Sequence, residues 1–149
     1  MARRVASVTW RGGLFEGEGT IGSSGSGALA ELPISWAARA ESSDGKTSPE
    51  ELIAAAHASC FAMAFSLLLA EGGTPPERLD VRAIVTLVPG TGITSSQLEV
   101  SGCVPGLSEE AFLAKAEQAK TNCPVSQALK GLEITLSANL AGAQPAVAA

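Results

Sequence analysis

Thr47–Phe61, TSPEELIAAAHASCF, with its apolar continuation AMAFSLLLA to Ala70, decides the fold. Ser48 is a good N-cap, Pro49 suits the first helical position, and Glu51 is placed to close a capping box. Glu50 and Glu51 sit where the helix dipole is positive. The nineteen residues Leu52–Ala70 carry no charge. Their apolar side chains cover every face, which predicts a long central helix that is surrounded rather than laid on a surface. Cys60 falls in its middle, and Gly72-Gly73 ends it. The segment meets the length test for a membrane span. Its alanine richness, the polar His57, Ser59 and Ser66, and flanks of Glu50, Glu51 and Glu71 in place of basic or aromatic anchors argue for a soluble core helix instead, with no membrane partner.

Outward from the helix, the chain of 149 residues is expected to form one domain over 1–140. The tail 141–149, AGAQPAVAA, is small residues around a proline and reads as disordered. The formal net charge is −5 and the Lys and Arg residues are scattered, which argues against nucleic-acid binding. The opening MARRVASVTWRGG has a basic pair but no apolar run after it, so no secretory signal is read. Three cysteines, an odd number, then point to the cytoplasm and to thiols rather than structural disulfides.

Val5–Trp10 alternates and reads as a strand, Arg11-Gly12-Gly13 turns, and Leu14–Ile21 returns. Gly22–Gly27 reads as a loop and Pro33–Ala40 as a third strand, with Ile34, Trp36 and Ala38 on one face. After the helix come strands at Val81–Val88 and Ile93–Val104, the latter weakened by Gly102. Ser108 caps a helix to Lys120, and a short helix runs from Asn122-Cys123-Pro124 to Gly131. Leu132–Leu140 is the last strand. Runs of strands with helices between them give an α+β class with a largely antiparallel sheet.

Two cysteines stand out. Cys123 precedes a proline near a helix start, where unpaired backbone N–H groups favour a thiolate. Cys60 lies mid-helix among apolar residues, where burial raises a thiol's pKa, so a reactive Cys60 needs a cation brought to it. Arg39 is a candidate, because it ends a segment of small or apolar residues and requires an anionic partner. The plainer readings are a buried hydrophobe for Cys60, a hydrogen-bonded core residue for His57, first-turn acids for Glu50 and Glu51, and packing for Cys103. His57-x-x-Cys60 also has metal-ligand spacing on a helix, but no paired short spacing of a zinc module accompanies it.

Taken together, Trp10-Arg11-Gly12, Arg39, Pro-Glu-Glu-Leu, His-Ala-Ser-Cys-Phe and Cys-Pro-Val-Ser resemble the OsmC/Ohr family of thiol-dependent peroxidases. The Ala-Ala-His-Ala-Ser-Cys wording looks more like the OsmC branch. The resemblance implies that Cys60 is the peroxidatic thiolate and Cys123 the resolving cysteine. Arg39 would hold the thiolate and polarise the peroxide, and Glu50 would position Arg39. It further implies an external dithiol of lipoyl type as reductant and an intertwined homodimer, with no cofactor and no metal. The apolar lining expected from Phe61, Met63, Phe65 and their neighbours suits an organic hydroperoxide better than a strongly hydrated one. Spacing points to the dimer as well. Glu50 and Cys60 are ten residues apart on a helix without internal Gly or Pro. That is about 15 Å of rise, too far for one arginine to touch both in a single chain, so Glu50 is expected to be supplied across the dimer interface. The alternatives from other classes are a hydrophobic-ligand-binding module and a metal-binding thiol protein.

Overall fold

A computed structural model of the chain describes residues 1–141. The expectation of a disordered tail over 141–149 falls, but for Ala141, outside the described residues. The chain divides into two compact units, one ending at Leu52 and the other starting at Ile53.

In the first unit, β1 (Ala6–Arg11), β2 (Glu18–Ser24) and β3 (Ala30–Ile34) form an antiparallel sheet in that order. The Trp10-Arg11-Gly12 sequence makes the first turn. The Trp10 indole N–H donates to the Gly12 carbonyl at 2.9 Å, and Gly12 takes a φ of +88°, a region that favours glycine. Trp10 lies over Gly19 so closely that a Cβ there would meet its ring at 2.7 Å. The second strand therefore starts at Glu18, later than the predicted Leu14, because Leu14–Glu16 are used in the turn.

The predicted strand Pro33–Ala40 is half wrong. β3 stops at Ile34, and Trp36–Ala40 is a short helix, α1. The Ser35 hydroxyl accepts the Ala38 N–H at 3.1 Å, an N-cap that the alternating pattern hid. Trp-Ala-Ala-Arg-Ala then follows its own helix propensity rather than the strand period.

The long helix α2 is continuous from Pro49 to Glu71. Ser48 caps it as read, its hydroxyl accepting the Glu51 N–H at 3.1 Å. Glu51 does not close the box on the backbone; its carboxylate accepts the Thr47 hydroxyl at 3.1 Å. Gly73, at φ +82°, and a Thr74 N–H bond to the Leu69 carbonyl at 3.0 Å finish the helix.

The second unit holds β4 (Arg78–Val88), β5 (Gly92–Cys103) and β6 (Glu133–Leu140), with α3 (Glu109–Asn122) and α4 (Pro124–Ala128) between the last two strands. β4 and β5 are antiparallel, while β5 and β6 run parallel, as the α3–α4 crossover allows. The class is α+β, and this second sheet is mixed. Phe61, Phe65 and Leu69 of α2 pack with Leu98, Val100, Phe112, Ala116 and Cys123 to form the core. Gly102, which looked like a weak point in a strand, is where the Phe112 ring closely approaches the sheet backbone. A Cβ at Gly102 would meet the Phe112 ring at 2.6 Å.

Within one chain α2 buries a single stripe, His57, Phe61, Phe65 and Leu69, at four-residue intervals. Met63 and Leu67 on another face stay 68% and 59% exposed. The all-round apolar sequence is thus only partly used by its own chain.

Candidate active site

The candidate residues assemble as two pairs, one in each unit. In the first, α1 presents Arg39 and the first turn of α2 presents Glu50. Arg39 Nε donates to Glu50 Oε1 and Oε2 at 3.0 and 3.2 Å, and Nη2 donates to Oε1 at 2.8 Å. This is the side-on fork that a guanidinium offers a carboxylate. Glu50 is buried and Arg39 is partly exposed. Glu50 is a first-turn acid, as its plain reading has it, and it is also the partner of Arg39. Its carboxylate is withdrawn from water and committed to Arg39. The Arg39 guanidinium lies 6.0 Å from the centre of the Trp36 ring, which is itself met edge-on by Phe15. Nη1 takes no part in the fork with Glu50 and is the edge left to engage another anion or a polarised oxygen.

In the second unit, Cys60 of α2 and Cys123, the residue between α3 and α4, are neighbours. The Cys60 thiol is pushed above its ordinary value, first by burial and then by the adjoining Cys123 thiol. The backbone N–H of Val125 opposes both by hydrogen-bonding to it. All three cysteines are free thiols. Cys123 is fully buried, and its backbone joins the two helices: its N–H reaches the Ala119 carbonyl at 2.8 Å, and its carbonyl accepts the Gln127 N–H at 3.0 Å. Its side chain makes no capping bond. The local electrostatics thus differ from the sequence reading. The amide of the α4 first turn that was expected to favour Cys123 is turned to Cys60.

Cys103 stands apart. Its thiol donates to Glu77 at 3.4 Å and is also pushed upward, by desolvation and by that carboxylate.

His57 is the hydrogen-bonded core residue that its spacing suggested. It is fully buried, with Nδ1 2.7 Å from the Ser96 hydroxyl and Nε2 2.8 Å from the Ser126 hydroxyl. Burial lowers its pKa. With both ring nitrogens engaged by serines, it has no lone pair to offer an ion. Among the described residues, no group of three His, Cys, Asp or Glu side chains gathers to hold a metal.

The description OsmC-like protein matches this chain over residues 42–137. The chain belongs to the OsmC family. It is 44% identical over 134 residues to a peroxiredoxin OsmC of Escherichia coli (strain K12), covering 88% of this chain and 92% of that relative. An organic hydroperoxide resistance protein-like relative of Staphylococcus aureus (strain bovine RF122 / ET3-1) is 34% identical over 102 residues, covering 65% and 73% of the two chains. Among solved structures, the organic hydroperoxide resistance protein OhrB of Bacillus subtilis superposes with a TM-score of 0.66 at 26% identity, over 92% of this chain and 98% of that one.

Three contributors escaped the sequence. Ser96 lies 39 residues from His57 in a strand whose pattern does not single it out; Ser126 lies 69 residues away and closes the Cys-Pro-Val-Ser motif, which gives no sign of its bond to His57. The Val125 amide is backbone and leaves no side-chain signal. Only the Cys-Pro start of α4, which puts Val125 in the first turn, pointed toward it.

Proposed function

We propose that the chain is a thiol-dependent peroxidase of hydroperoxide defence, working in the cytoplasm, that reduces organic hydroperoxides by a two-cysteine cycle. The observation that carries this reading is the Cys60 thiol set against the Cys123 thiol and the Val125 N–H. Cys60 thiolate attacks the O–O bond of the hydroperoxide. Its sulfur takes the terminal oxygen, and the alkoxide leaves and collects a proton to give the alcohol. Cys123 then attacks the Cys60 sulfenic acid. The S–O bond breaks, hydroxide leaves as water with a proton, and a Cys60–Cys123 disulfide remains. An external dithiol, of lipoyl type by family resemblance, is oxidised as it restores both thiols.

The raised Cys60 pKa means that burial outweighs the Val125 amide, so a cation has to be supplied. Arg39 supplies it. Glu50 holds Nε and Nη2 of the guanidinium and leaves Nη1 for the thiolate and for the oxygen that gathers charge as the O–O bond breaks. Arg39 is tied to the Glu50 of its own chain, and Glu50 and Cys60 stand ten positions apart on an unbroken helix. We therefore assign the Arg39–Glu50 pair of one copy to the Cys60 of another in a homodimer. The exposed Met63 and Leu67 of α2 support this, since a second copy would cover the face that the chain leaves bare. Phe61 and Phe65, expected to line the substrate pocket, are fully buried in the core, and of that set only Met63 is exposed. The preference for an organic hydroperoxide over hydrogen peroxide is supported by the organic hydroperoxide resistance proteins among the relatives.

The test is turnover of cumene hydroperoxide and of hydrogen peroxide with dihydrolipoamide as reductant. The expected result is a higher kcat/KM for the organic substrate, lost in Cys60→Ser. Turnover that survives Cys60→Ser, or no turnover of either peroxide by the wild type, overturns the proposal.

A further inference from the structure

We infer that His57 is a positioning residue for disulfide formation: through Ser126 it holds α4 so that Cys123 meets Cys60. The inference rests on the two-cysteine reading above and adds a residue that acts through the geometry of the second step.

The bridge has two ends, Ser96 on β5 at 2.7 Å and Ser126 on α4 at 2.8 Å. All three side chains are buried, and neither partner of the imidazole carries a charge. A neutral ring suits this pair, one nitrogen donating to a hydroxyl and the other accepting from one. The placement along the helices gives the bridge its meaning. His57 is one turn before Cys60 on α2, and Ser126 is one turn after Cys123 on α4. The bond therefore ties the two helices one turn away from the place where the two sulfurs must join.

α4 needs such a tie. It is five residues long, far below the length that is stable on propensity alone, and its N-cap Cys123 makes no side-chain capping bond. A disulfide tolerates little error, because the two Cβ atoms have to come within about 3.5–4.5 Å of each other. Apolar packing at position 57 would fill space but leave α4 free to turn about its axis. A directional hydrogen bond fixes that rotation. It fixes the Val125 amide with it, because Val125 lies between Cys123 and Ser126 on the same short helix.

The experiment compares wild type, S126A and S126T, each with graded equivalents of cumene hydroperoxide. Sulfenic acid, Cys60–Cys123 disulfide and Cys60 sulfinic acid are quantified by rapid quenching and mass spectrometry. S126A should slow the step from sulfenic acid to disulfide by roughly tenfold or more, as a misplacement approaching 1 Å does, and raise the sulfinic share accordingly. S126T keeps the hydroxyl and should return both values to wild type. Gly102→Ala, which overpacks the core at Phe112 and leaves the His57 bridge intact, should lower Tm without changing the partition. S96A breaks the bridge at its other end and gives the same reading if S126A does not fold. An unchanged partition in the folded serine-to-alanine variants, or an equal shift in Gly102→Ala, overturns the inference. A wild type that forms no Cys60–Cys123 disulfide sinks the two-cysteine reading instead, so the two failures are distinct.

Discussion

Replacing Arg39 by lysine keeps a positive charge and removes the fork. In the wild type, Nε and Nη2 together make three contacts of 2.8–3.2 Å with Glu50. One lysine ammonium cannot hold both edges of that carboxylate and also present a donor to the thiolate. If the variant forfeits one hydrogen bond to a charged group in the transition state, the loss is about 1.5–3 kcal/mol. At about 1.36 kcal/mol per factor of ten, that is roughly a 10- to 150-fold fall in kcat/KM. The assay is steady-state reduction of cumene hydroperoxide, run beside the pH dependence of thiolate absorbance in a Cys103→Ala, Cys123→Ser background. Burial already pushes the Cys60 thiol upward, so the weaker cation should move its apparent pKa higher still and its reaction rate should keep rising to higher pH. Equal rates and equal thiolate content in Arg39→Lys would refute the reasoning, and Arg39 would then be only a structural partner of Glu50.

Three further outcomes are expected. Glu50→Ala and Cys60→Ser chains, each inactive alone, should regain activity when co-refolded, because a mixed dimer holds one complete site; verified heterodimers without activity would contradict the shared site. His57 is kept neutral by burial, with a folded pKa below the ordinary 6.5 of the unfolded chain. Its contribution is fully present above the unfolded value and is lost as pH falls below it toward the folded one, so the Tm advantage of wild type over His57→Asn should shrink as pH drops below 6.5; an advantage that grows on acidification would show the opposite sign. Gly102→Ala should cost about 1–3 kcal/mol in denaturant unfolding, since its methyl would press on Phe112 and Leu79; a neutral result would mean that the sheet and α3 separate freely there.

The parts of the fold that were legible are those where one pattern acts alone. Ser48-Pro49 started α2 where read, and the alternation in Leu132–Leu140 matches the half-buried Ile134, Leu136, Ala138 and Leu140. The misread segment, Pro33–Ala40, is one where two patterns coexist. Its alternation is real, but the Ser35 cap and the alanines after it take precedence. At the site, the cysteines, Arg39 and Glu50 stood out by residue type and by family resemblance. The pairing of Arg39 with Glu50 inside one chain did not, because α1 was taken for a strand end. The pairing of His57 was hidden for another reason: Ser126 closes the Cys-Pro-Val-Ser motif, but only the tertiary fold brings it and Ser96 to one ring. The exposed Met63 and Leu67 show the converse, an all-round apolar helix whose second face the chain itself does not bury.

The most direct test of the central claim is a stoichiometric titration of the fully reduced protein with cumene hydroperoxide, followed by peptide mapping without reduction. The account predicts that one equivalent per chain consumes two thiols, links the Cys60 peptide to the Cys123 peptide within one chain, and leaves Cys103 free. Peroxide consumed without that linkage, or a linkage through Cys103, would contradict it.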